Sequence, residues 1–115
     1  AGFVPANRTE GANPVINTVL DEVTHEYDII TGTDTFSIAG ADLAPDTSKA
    51  DEYVALVSAK GAETKCEIEF SDLQNVKAKL TDALAPGEYT LKVYTRSGMG
   101  EGFGVRTATR KVTVA

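Results

Sequence analysis

Between Glu88 and Thr95 the side chains alternate without a break. Tyr89, Leu91, Val93 and Thr95 fall on one face, and Glu88, Thr90, Lys92 and Tyr94 on the other. Alternating side chains point to opposite faces only in a strand, so this pattern demands a strand with one buried side. Pro86-Gly87 immediately before it supplies a turn. The unit Gly87-Glu88-Tyr89-Thr90-Leu91 has the spacing of a tyrosine corner. In immunoglobulin-like sandwiches such a Tyr stands two residues before a buried anchor, and its hydroxyl returns to the backbone just upstream. Gly87, Tyr89 and Leu91 are therefore read as structural residues.

The rest of the chain repeats the theme. Strands are expected over 14–20, 29–30, 36–40, 52–59, 64–70, 76–80, 88–96 and 105–114, at roughly ten-residue spacing, with no helix between them. Phe36 and Ile38 are expected to point inward, and Leu43 to plug one end of the core. Tyr53 to Val57 is apolar on both faces, which suits a central strand. Cys66, Ile68 and Phe70 are expected to share a face. Regular short strands of this kind build an all-β antiparallel sandwich of seven to eight strands with an immunoglobulin-like arrangement. With 115 residues, one such domain is expected over 14–115, preceded by a linker or tail over 1–13. Ala1 to Pro5 lacks the basic and apolar regions of a signal peptide. The triplet Asn7-Arg8-Thr9 is discounted as a chance sequon.

Charge narrows the function. The chain carries 11 Lys and Arg against 17 Asp and Glu, a net charge of −6. A surface built to neutralise phosphates would have the opposite balance. No apolar run approaches the roughly 20 residues of a membrane helix, so no membrane partner is expected. Cys66 is the single cysteine and reads as a small buried hydrophobe; without a disulfide the domain suits a cytoplasmic setting.

Catalytic and metal signals are sparse. His25 sits with Asp21, Glu22, Glu26 and Asp28 in an expected solvated connection or frayed edge. A zinc site would need more ligands than His25 and the distant Cys66. Asp42, Asp46, Asp51 and Glu52 have no calcium-loop spacing and read as a solvated loop. Gly98, Gly100, Gly102 and Gly104 alternate in a hairpin tip, which differs from a dinucleotide fingerprint. No serine has a nucleophile-elbow context. The expectation is a non-enzyme with no cofactor and no metal. Met99, Glu101 and Phe103, on the glycine-rich tip, are the candidate contact loop for a protein partner. Lys92, Arg96, Arg106, Arg110 and Lys111 could form a basic stripe, although pairing with Glu and Asp across strands is the expected use.

Several of these segments together resemble a known family. Asn13-Pro14-Val15-Ile16, Ile29-Ile30-Thr31-Gly32, Phe36 to Leu43 and Leu84 to Val93, with the late Arg106-Thr107, are similar to a bacterial domain family of unknown function with an immunoglobulin-like fold. That family is found C-terminal to HU/IHF-like DNA-binding domains. The resemblance implies an accessory module of a nucleoid-associated cytoplasmic protein, with DNA contacted only through a separate N-terminal domain. The alternative is a periplasmic or cell-surface module that binds protein or carbohydrate.

Overall fold

Eight strands make up the regular structure of the computed structural model, which describes residues 14–46, 48, 50–95 and 105–115. In chain order they are β1 (Val15–Asp21), β2 (Ile29–Ile30), β3 (Thr35–Ala41), β4 (Tyr53–Ser58), β5 (Glu63–Ser71), β6 (Asn75–Lys79), β7 (Gly87–Thr95) and β8 (Arg106–Val114). Their spatial order is β1-β3-β6-β5-β4-β7-β8-β2. Two layers arise because β5 belongs to both. Its first half pairs with β4, from Glu63 opposite Val57 to Cys66 opposite Val54. Its second half pairs with β6, from Glu67 opposite Lys79 to Ser71 opposite Val76. One sheet is therefore β1-β3-β6-β5 and the other β5-β4-β7-β8-β2. Strands one, two, five and four of an immunoglobulin sandwich face strands three, six and seven in the same way. This is an all-β sandwich. It departs from a purely antiparallel one at β2, whose two residues pair in parallel with Thr113 and Val114. Among the described residues no helix is long and apolar enough to cross a membrane.

The core follows from strand parity. Phe36, Ile38, Leu43, Val54, Leu56, Val76, Leu91 and Val93 are completely buried, as are Val19 and Ile30. β4 lies between β5 and β7, in keeping with its two apolar faces. Ile16 and Val19 both point inward although three residues apart. A bulge between Ile16 and Thr18 absorbs the extra residue. A second bulge, between Ile68 and Phe70, corrects the expected shared face of β5. Cys66 is buried and Ile68 packs on the core, but Phe70 is turned out and is 49% exposed. β1 lies so close to β3 that a Cβ on Gly40 would come within 1.8 Å of the Val15 carbonyl oxygen, so only glycine fits there.

Tyr89 sits partly buried against the core, and its hydroxyl donates to the Ala85 carbonyl at 2.8 Å. Leu91, two residues on, is fully buried. Gly87 begins β7 with φ at +149°, in the region that favours glycine.

Asp21 overturns its expected place in a solvated connection. It is fully buried at the end of β1. Its Oδ1 accepts from the N–H groups of Val23 (2.9 Å) and Thr24 (3.0 Å), and its Oδ2 from that of Thr31 (2.8 Å). Burial alone would raise this carboxyl. The backbone donors of Thr24, Thr31 and Val23 outweigh it and hold Asp21 below the ordinary carboxylate value. One side chain thus fixes both the turn after β1 and the exit from β2.

Two predictions follow from these anchors. Tyr89→Phe should lower the unfolding free energy by about 1 kcal/mol, the scale of one hydrogen bond, measured by urea denaturation. Asp21→Ala should cost more, about 2 kcal/mol, because it strands backbone donors beside the core. Since the folded-state value of Asp21 is depressed, its contribution is complete above the unfolded value of roughly 4 and disappears as pH falls below it. The gap between wild type and Asp21→Ala should therefore narrow on acidification.

Candidate functional site

Residues directly opposite one another on paired strands share a face, so the registers of β4, β7 and β8 sort every charge on this sheet. Tyr53, Tyr94 and Thr107 form one outward row, Ala55, Lys92 and Thr109 the next, and Val57, Thr90 and Lys111 a third. The intervening rows point inward and include Leu56-Leu91-Arg110, Val54-Val93-Ala108 and Thr95-Arg106. Lys92 and Lys111 therefore face one way and Arg106 and Arg110 the other. The possible basic stripe does not exist among the described residues; Arg96 lies outside them.

Arg110 instead leaves the sheet at its edge and grips Asp28, Nε to Oδ1 at 2.6 Å and one terminal nitrogen to Oδ2 at 2.9 Å. This two-pronged pair holds Asp28 below, and Arg110 above, their ordinary values. Lys111 approaches Glu88 across the same ladder at 3.9 Å. Pairing of these cations with carboxylates is the use expected from the sequence.

The outward rows carry a cluster that sequence reasoning missed. The Tyr53 and Tyr94 rings lie with centroids 4.6 Å apart and planes tilted by 37°. Both hydroxyls donate to one carboxylate, that of Glu63: Tyr53 to Oε1 and Tyr94 to Oε2, each at 2.7 Å. Glu63 stands two outward rows from the tyrosines, with Ala55 in the row between. The rings must lie along the sheet to reach it, which accounts for the complete burial of the outward-facing Ala55. Lys65 completes the group, its ammonium 4.4 Å from the Tyr53 ring centroid. The hydrogen bonds from Tyr53 and then Tyr94 lower the Glu63 carboxyl. Tyr53 is raised chiefly by its bond to Glu63, and Tyr94 by burial followed by the same carboxylate. The result is a rigid aromatic platform with a fixed negative charge at one end. A Tyr at each of two positions on alternating strands was visible in the sequence; the register that joins them was not.

Beside this platform, where β5 parts from β4, is an open recess of about 360 Å³. It is lined by Ala50, Glu52, Tyr53, Lys65, Cys66, Glu67 and Ile68. Cys66 is its floor, and burial pushes that thiol up to about 12, which keeps it protonated and unreactive.

The contact loop Met99, Glu101 and Phe103 lies outside the described residues. His25 is exposed in the turn after Asp21, with φ at +61°. The acidic loop is not uniformly solvated: Asp46 is exposed and accepts from Ser48 N–H and Oγ, but Glu52 is buried. The Glu52 Oε1 receives the Asp46 N–H at 3.3 Å and the Thr95 hydroxyl at 3.5 Å, so it serves the loop and the core edge. Among the described residues no three His, Cys, Asp or Glu side chains gather as metal ligands would.

Comparison with known structures shows what the fold is similar to. A crystal structure of a candidate bacterial DNA binding protein from Bacteroides vulgatus ATCC 8482 superposes with a TM-score of 0.79 at 24% identity. The match covers 92% of this chain and 49% of that one, so the chain spans about half the length of its neighbour. No family profile and no curated protein matches the sequence.

The platform can be tested by titration. Absorbance should show Tyr53 and Tyr94 ionising above the roughly 10 of free tyrosine. Glu63→Gln, which removes the negative charge while keeping an acceptor, should bring both back toward that value. An unchanged titration in Glu63→Gln would mean that the two bonds are absent in solution.

Proposed function

We propose that this domain is a non-catalytic interaction module, the C-terminal part of an HU/IHF-like DNA-binding protein that works in the cytoplasm. The observation that carries the reading is the division of charge across β7 and β8. An acidic domain turns Arg106 and Arg110 inward and ties Arg110 to Asp28, leaving no continuous basic face among the described residues. Affinity for duplex DNA comes largely from counterion release by aligned cations, so DNA contact falls to another part of the protein. Two further findings support this. The structural neighbour is described as a candidate DNA binding protein of about twice the length. The sequence also resembles domains that follow HU/IHF-like regions. The outward cluster offers two aromatic rings and a hydrogen-bonded carboxylate, a surface that suits recognition.

A titration of labelled duplex DNA at two salt concentrations tests the division of labour. The isolated domain should show no appreciable binding at physiological salt. Micromolar binding that weakens steeply with salt and is lost in the Arg96→Ala, Arg110→Ala double variant would overturn it. The reading frame upstream of Ala1 should encode an HU-like domain.

A further inference from the structure

The recess between β4 and β5 brings an aromatic residue, apolar side chains and carboxylates together. One wall is Tyr53, whose hydroxyl donates to Glu63. Cys66 and Ile68 give it an apolar floor, and Glu52 and Glu67 bring two carboxylates against the single ammonium of Lys65. Glu52 is committed to Asp46 and Thr95. Glu67 is different: it is exposed, and its carboxylate makes no hydrogen bond or ion pair with any described residue. The ladder explains the opening. β5 pairs with β4 only as far as Cys66, so among the described residues no strand lies beside its β4-facing edge from Glu67 onward.

We propose that this recess receives an arginine side chain from a basic segment of a protein partner. This rests on the reading of the domain as an interaction module and names the surface it uses. A guanidinium can stack on an aromatic face while its fork engages a carboxylate, which a compact ammonium cannot do in the same geometry. Tyr53 supplies the face, Glu67 the carboxylate, and Cys66 with Ile68 the apolar bed for the methylene stem. About 360 Å³ is at the small end of ligand sites, sized for one long side chain. Charge agrees: the net charge of −6 attracts a basic segment and repels an acidic one. Lys65 shows the preference internally, since its ammonium already rests against the Tyr53 ring. Lys65 is thus a built-in competitor, displaced when the partner's guanidinium arrives.

The competition makes the proposal testable without knowing the partner. The probe is acetyl-Gly-Gly-Arg-Gly-Gly-amide, with a citrulline-containing peptide as its neutral counterpart, followed through the backbone amide shifts of Ala50, Tyr53, Lys65 and Glu67. The arginine peptide should shift these signals saturably and the citrulline peptide should not. Glu67→Gln should weaken binding about twofold to fivefold, the scale of one exposed charge contact. Lys65→Ala should tighten it by a similar factor by clearing the ring. Equal shifts with both peptides, no saturable shift, or unchanged or weaker binding in Lys65→Ala would each overturn the proposal. So would movement of the same amides on diluting the free protein, which would mark the recess as a contact between copies of the chain. These peptides carry no phosphate-binding information, so this result and the DNA titration stand or fall separately.

Discussion

β5 has two edges and spends each of them on a different sheet. Its Glu63–Cys66 half satisfies β4, and its Glu67–Ser71 half satisfies β6. Because backbone N–H and C=O groups need partners, this handover welds the layers into one continuous sheet order instead of two sheets held only by apolar packing. The same handover forces β5 away from β4 after Cys66. A strand that joins the layers must open a gap on the side it leaves, and the recess beside Tyr53 is that gap. The bulge at Glu69 occurs on the departing half, where it turns Phe70 to solvent.

Charge in this domain is used structurally before it is available for anything else. Asp21 organises a turn from inside the core, Glu52 secures a loop to the edge of the core, and Asp28 with Arg110 ties the segment before β2 to β8. The outer face of the β1-β3-β6-β5 sheet follows the same habit. There Glu22 takes Lys77 and the Ser37 hydroxyl, while Glu69 takes Lys79 and the Thr35 hydroxyl. Against this background Glu67 stands out: it lies on the same sheet, opposite Lys79, at the point where β5 leaves β4, and it lines the recess together with Tyr53.

What could be read from the sequence was what is local or periodic. The alternation from Glu88 to Thr95 reports its own buried face, and the Tyr89 hydroxyl reaches a carbonyl only four residues back. Leu43 could be placed in the core because an isolated leucine after a strand has few other uses. Asp21 was hidden because its partners are backbone donors, which leave no mark in side-chain pattern. The Tyr53-Tyr94-Glu63 cluster was hidden for another reason: each residue looks ordinary on its strand, and only a register set by long-range pairing brings them together. Bulges are the third blind spot. A one-residue slip at Glu69 reverses the side on which Phe70 falls, while leaving the hydrophobic pattern of β5 unchanged.

The parallel pair of β2 and β8 has a consequence in time. Its partners come from nearly opposite ends of the domain, and the Asp28-Arg110 bond beside it spans 82 residues of sequence. Contacts of such separation close a large loop and are made late, after nearer hairpins such as β5-β6 and β7-β8 have formed. During synthesis β8 is the last strand of this domain to emerge, so β2 and the buried Ile30 must wait unhoused until then. A chain halted just short of Arg106 would hold most of its strands and still lack the partner that seals this side of the core. The final nine residues before Ala115 therefore act as the closing step of folding, and premature termination there would leave an adhesive intermediate instead of a slightly shortened domain.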